Sequence, residues 1–254
     1  MKSPIAWSLF SRHSLAVVAM AMALVLVGVP AATGLPPDRD PSAQEKEILN
    51  RYTGAVDSLL DSFTNETWEE DEGHRFELGA NVMVSNDPDV PFNINESIER
   101  QYQVRRDSKV FAEKYGALLA KIEQTSDINE KMKLSEQLPY TRVRVRVYFN
   151  QLNFEVKPAP PGNAPLALRG PALAYGVAAE SNRSAAVLLL FGDWQNATWD
   201  AKNHWYHYHF QRRGFYPAIE NIVIQVDGNP DRVDELLHTA NWAAINDGLV
   251  LGKP

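Results

Sequence analysis

The chain has 254 residues, with 25 Lys and Arg against 32 Asp and Glu, a formal net charge of −7 and no cysteine. Disulfide staples, thiol catalysis and thiolate metal sites are excluded together. An acidic balance also argues against nucleic acid or an anionic membrane face as main partner, since both demand basic patches.

Residues 1–34 read as an export signal. Lys2 and Arg12 precede an uncharged apolar stretch from Leu15 to Val29. Val29-Pro30-Ala31 or Ala32-Thr33-Gly34 then offers the small-residue exit that a signal peptidase uses. The expectation is a periplasmic or extracellular protein. The alternative is an uncleaved anchor: Leu15 to Ala32 is about 18 residues, the short edge of what spans a bilayer, and Pro30 interrupts it. Membrane contact is expected through this segment alone. Cleavage removes two bases and no acids, leaving 23 basic and 32 acidic groups, net −9. About 220 residues then remain, enough for one large domain or two small ones. A cysteine-free exported chain fits a bacterial envelope better than a small disulfide-stapled module.

Residues 35–41 (LPPDRDP) form a polar, proline-punctuated lead-in. Ser42 with Glu45 makes a capping box, and Ile48, Tyr52, Ala55, Val56, Leu59, Leu60 and Phe63 follow at helical spacing. The acidic run Glu66–Glu72 reads as solvated charge that ends this helix. His74 to Ser85 alternates as a half-buried strand, and residues 86–93 are a loop. Asn95 reads as the cap of a helix carrying Ile98, Tyr102, Phe111, Tyr115, Leu118, Leu119 and Ile122. Asp127 with Glu130 caps the next, through Met132 to Leu138, before the stop at Pro139.

Thr141 to Phe149 is the clearest strand, with Val143, Val145, Val147 and Phe149 on one face. Arg142, Arg144 and Arg146 lie opposite, where the expectation is cross-strand acids such as Glu77 rather than an anion site. Residues 157–171 hold five prolines and serve as a linker or long loop. Strands follow at 172–179, 184–191, 204–210 and 219–226, the second apolar throughout as for a strand buried on both faces. Asn229 caps a last helix with Pro230 in its first turn and Val233, Leu236 and Leu237 inward. The sequence Asp227-Gly228-Asn229-Pro230-Asp231 fails as a calcium loop, because Arg232 stands where glycine is needed.

Helices early and strands late predict an α+β fold: N-terminal helices on a mainly antiparallel sheet, with a helix at the C-terminus. Two lobes, 42–156 with two strands and 172–254, or one composite domain, satisfy the pattern alike.

No dinucleotide fingerprint, P-loop, nucleophile elbow or zinc-protease helix is present. Two site candidates remain. Nine aromatic residues fall within 191–216. Trp194 and Trp199 lie in a polar stretch that reads as a loop, followed by Trp205 and Tyr206, and such rings stack on sugars or on a partner's apolar groups. The other candidate is metal: on a strand, His207 and His209 share a face and chelate Zn²⁺ or Cu²⁺ if His204 or a carboxylate such as Asp193 or Asp200 completes the set. The ordinary alternative packs Tyr206, Tyr208 and Phe210 inward and leaves the histidines wet. The sequence thus favours a non-catalytic exported protein that recognises a saccharide, peptide or protein partner and carries no cofactor. A metal-binding protein or metal-dependent hydrolase is the rival. Four glycosylation sequons, at Asn65, Asn95, Asn182 and Asn196, read as chance.

Overall fold

In the computed structural model, the described residues are 39–75, 84–85, 93–94, 97–155, 166–177, 184–211 and 219–249. The leader and most of the strand expected at His74–Ser85 lie outside them, as do the proposed cap Asn95, residues 157–165 of the proline-rich segment and the turn near Ser181–Arg183. Among the described residues, no helix is long and apolar enough to cross a membrane.

The capping box forms as the sequence requires. Ser42 Oγ accepts from the Glu45 N–H at 3.3 Å, and the Glu45 carboxylate accepts from the Ser42 N–H at 2.6 Å. Helix α1 (Ala43–Asp61) then buries Leu49, Tyr52, Val56, Leu59 and Leu60 along one stripe.

The central sheet has six antiparallel strands. In spatial order they are β1 (Trp68–Glu70), β4 (Ser97–Val104), β5 (Arg142–Phe149), β11 (Ile222–Gly228), β8 (Ala185–Phe191) and β7 (Leu173–Val177). Strands β2 (Val84–Ser85) and β3 (Asn93–Ile94) form a separate pair. The architecture is α+β with a mainly antiparallel sheet and helices at the C-terminus. Because β5 and β11 pair from Phe149 to Gly228, strands from both sides of the proline-rich segment share one sheet. All the described residues fall within one compact unit that begins at Asp38.

One expectation is overturned. The helix read from Ile98 and Tyr102 is strand β4, whose residues alternate between half-buried and buried along its length. Ile98 and Tyr102 satisfy a helical step of four, but they equally satisfy a step of two with Arg100 and Val104 between and after them. The reading failed because Arg100 is polar yet faces the core. The helices begin only at Ser108, which accepts from the Phe111 N–H at 3.1 Å. They comprise α2 (Lys109–Phe111), a π-helical turn (Ala112–Gly116) and α3 (Ala117–Gln124). Helix α4 (Ile128–Gln137) follows from its Asp127 cap, where the sequence puts it.

One sheet face carries Val143, Val145, Val147, Phe149, Val187, Leu189, Phe191, Ile222, Ile224 and Val226. It packs against α1, Trp242 and the C-terminal helices α5 (Pro230–Thr239) and α6 (Ala243–Gly248). The arginines of β5 lie on the opposite face. Arg144 meets Asp227 at 3.2 Å and Arg146 meets Glu99 at 2.9 Å. Cross-strand acids thus answer Arg144 and Arg146, supplied by β11 and β4; Glu77 lies outside the described residues.

A second sheet packs on that outer face, in the order β6 (Asn153–Glu155), β10 (Trp205–His207) and β9 (Thr198–Asp200). Asn150 directs the chain there. Its φ of 47° turns β5 off the large sheet, a conformation that asparagine tolerates well. Its side-chain oxygen accepts from the Glu220 N–H at 2.8 Å, which fixes the turn against the start of β11. Between the two sheets lies a second core of Tyr175, Leu188, Leu190, Trp194, Tyr208, Phe210 and Val223.

Candidate functional site

The aromatic residues singled out by the sequence separate into three settings. Trp194 is fully buried. Gly192, at φ 105°, reverses the chain after β8, and a short 3₁₀ turn (Trp194–Asn196) swings the indole under the small sheet. Its Nε1 donates to Phe191 O at 3.0 Å, and its ring meets that of Tyr208 edge-on at 4.8 Å. The expected placement in an exposed loop is therefore corrected for Trp194: it is a core ring. Trp199 and Trp205 are 37% and 42% exposed. Register places them on opposite faces of the small sheet, since Trp199 stands across from Tyr206, whereas Trp205 stands across from Glu155 and Asp200. Trp199 leans on Tyr206 at 4.7 Å. Tyr206 is tied inward by a 2.6 Å hydroxyl contact with Tyr175, and burial, then that bond, raises its pKa.

The histidine strand is regular only over Trp205–His207, yet Tyr206 is half-buried, Tyr208 and Phe210 are buried, and His207 and His209 are exposed. The two imidazoles lie 5.4 Å apart. Each is already engaged, His207 Nδ1 with Asn153 Oδ1 at 2.6 Å and His209 Nε2 with Thr198 Oγ1 at 2.7 Å. His204 adopts φ 57° in the turn before the strand, with its ring 6.1 Å from that of Trp199. Among the described residues, no three His, Asp or Glu side chains gather as a metal would require.

The feature that the sequence left unmarked is a cleft of about 450 Å³ beside β6, at the margin of the core between the two sheets. Its described lining comprises Tyr148, Leu188, Val177 and Gln225 of the large sheet together with Gln151, Asn153, Phe154, Glu155 and Trp205. Leu188 and Tyr148 follow from the alternation of β8 and β5. Gln225 is the odd member, a single amide inside the apolar run Ile222–Val226. Its side chain has no hydrogen-bond partner among the described residues. That interruption of an apolar strand was the available signal, since it marks the one half-buried position on an otherwise buried strand.

A second hollow, of about 240 Å³, lies at the start of α5 beside Trp68 and Tyr115. Its charges answer one another: Lys114 meets Asp231 at 2.8 Å and Arg232 meets Glu235 at 2.6 Å. It offers a ligand little that is unspent. Among the described residues lining the larger cleft, Glu155 is the one carboxylate and there is no Lys, Arg or His; Glu155 is itself engaged.

No family model, curated protein or solved structure matches this chain.

Proposed function

We propose that this is an exported, non-catalytic recognition protein, bacterial in origin, that works in the envelope or exterior and binds its ligand in the cleft beside β6. The observation carrying the reading is the cleft itself, which counts Trp205, Tyr148, Phe154 and the half-buried Gln225 among its lining residues. Binding sites combine apolar and aromatic lining with a few placed polar groups, and this lining has that composition. Saccharides, short peptides and partner loops are the ligand classes that such a site accommodates. Export rests on the leader, with its basic start, apolar centre and small-residue exit.

The test has two arms. Cells expressing the full chain are fractionated, and the amino terminus of the recovered protein is sequenced; the reading expects an exported species beginning near Ala31 to Leu35. That protein is then screened calorimetrically against neutral trisaccharides and short peptides. Recovery from the cytosol with Met1 intact, or no binding in either ligand set, would end the proposal.

A further inference from the structure

We infer that the hollow of about 240 Å³ at the start of α5, apart from the cleft beside β6, takes a free amino acid with an apolar side chain. Little there is unspent, so a ligand enters by exchange. Lys114 Nζ meets Asp231 Oδ2 at 2.8 Å, and both side chains are exposed. A pair so wet adds little net stability, and its members change partners at small cost. A free amino acid carries an ammonium and a carboxylate on one carbon. Its carboxylate goes to Lys114 and its ammonium to Asp231, so one pair becomes two. A ligand with a single charge would answer one member and strand the other.

Helix α5 adds a donor on the carboxylate side. Pro230 has no N–H, and the Arg232 and Val233 N–H groups are taken by Asn229. That leaves the first-turn N–H of Asp231, which has no hydrogen-bond partner among the described residues. An N–H at the positive end of a helix suits a carboxylate. A second observation is independent of the helix. Tyr115 is 2% exposed and lines the hollow, yet its hydroxyl has no hydrogen-bond partner among the described residues. Burial raises its pKa, Lys114 lowers it and Asp231 raises it, so the hydroxyl keeps its proton and sits in the field of both charges. A buried donor costs stability until a ligand or water answers it. Trp68, Val104 and Val110 give apolar surface for a side chain. Size agrees, because sites for drug-sized ligands run to roughly 300–1,000 Å³ and this one is smaller.

The experiment is isothermal titration of the purified protein with L-valine, L-leucine and L-phenylalanine, each beside its deaminated acid and its decarboxylated amine. At least one amino acid binds one-to-one. Both of its truncated forms bind roughly tenfold more weakly or worse, the loss of one charge-assisted contact. Lys114→Met weakens binding by a similar factor. Tyr115→Phe weakens it roughly fivefold without lowering the melting temperature. A deaminated acid that binds as tightly as its parent would reveal a plain anion site and overturn the inference. So would a lowered melting temperature in Tyr115→Phe with binding unchanged. Binding abolished in Trp205→Ala and intact in Lys114→Met would move the ligand to the larger cleft, overturning this site and leaving the recognition reading standing. Silence from all three amino acids at about 10 mM would also overturn it.

Discussion

Arg100 Nη2 lies 2.6 Å from Asp57 Oδ1, an ion pair that joins the middle of β4 to helix α1. Asp61, one turn further along the helix, takes Nη1 at 2.5 Å, and Glu70 of β1 lies 3.6 Å from Nε. Arg100 has no exposed side-chain area, while Asp61 is 64% exposed. The clamp is therefore buried at its cation and wet at one of its anions. Replacing Arg100 by Met removes charge-assisted bonds and leaves acids that water reaches in part. The expected loss is about 1–3 kcal/mol, read as a lowered urea midpoint at unchanged m-value. No loss in that measurement would mean that the clamp adds no net stability.

The two tryptophans most easily confused in the sequence are expected to behave oppositely. Trp194→Ala opens a cavity in the core between the sheets and should cost about 3–5 kcal/mol. Trp205→Ala removes a ring that is 42% exposed and should cost about 1 kcal/mol or less. Equilibrium denaturation of the two variants side by side checks the placement. Similar losses would contradict it.

Acid stability should report on the cap of α1. Arg39 bonds both Glu45 carboxylate oxygens, at 2.8 and 2.7 Å. This contact, against the opposing effect of burial and with help from Ser42, holds the Glu45 pKa at about 2, below its ordinary 4.5. A carboxyl lowered by folding stabilises the protein above its unfolded pKa, and that contribution disappears as pH falls through the folded one. The melting-temperature gap between the parent and Arg39→Ala should be full near about pH 6 and close toward about pH 2. A gap independent of pH would contradict the assignment.

Metal is expected to matter little. With two imidazoles, each already hydrogen-bonded, and no third ligand gathered among the described residues, zinc or copper should purify at well under one ion per chain. Elemental analysis of the parent and of His207→Ala/His209→Ala decides this. Stoichiometric metal that vanishes in the double variant would favour the hydrolase reading instead.

Much of the fold was legible because one period dominated each segment. The capping box at Ser42 and Glu45, the alternation of Val143, Val145, Val147 and Phe149, the apolar run ending at Phe191 and the Asn229-Pro230 helix start all form where residue spacing puts them. β4 was misread because Arg100 breaks the apolar alternation, and only the tertiary clamp on α1 and β1 explains a buried guanidinium there. Trp194 was misread because its burial depends on a glycine reversal and on the small sheet packing above it, neither of which is local. The cleft was invisible for a similar reason: Gln225, Tyr148 and Asn153 come from three strands whose neighbourhood is set by the turn at Asn150. The histidine strand shows the ordinary amphipathic pattern, with its tyrosines inward.

The most direct test of ligand recognition in the cleft is a titration of isotope-labelled protein with cellotriose, maltotriose and triacetylchitotriose, followed by NMR at the Trp205 indole N–H and the Gln225 side-chain amide. Both signals should move together and saturate with one of the sugars, while the indole signals of the core residues Trp194 and Trp242 stay in place. Saturable shifts elsewhere with Trp205 and Gln225 unmoved, or no shift with any of the three, would contradict the account.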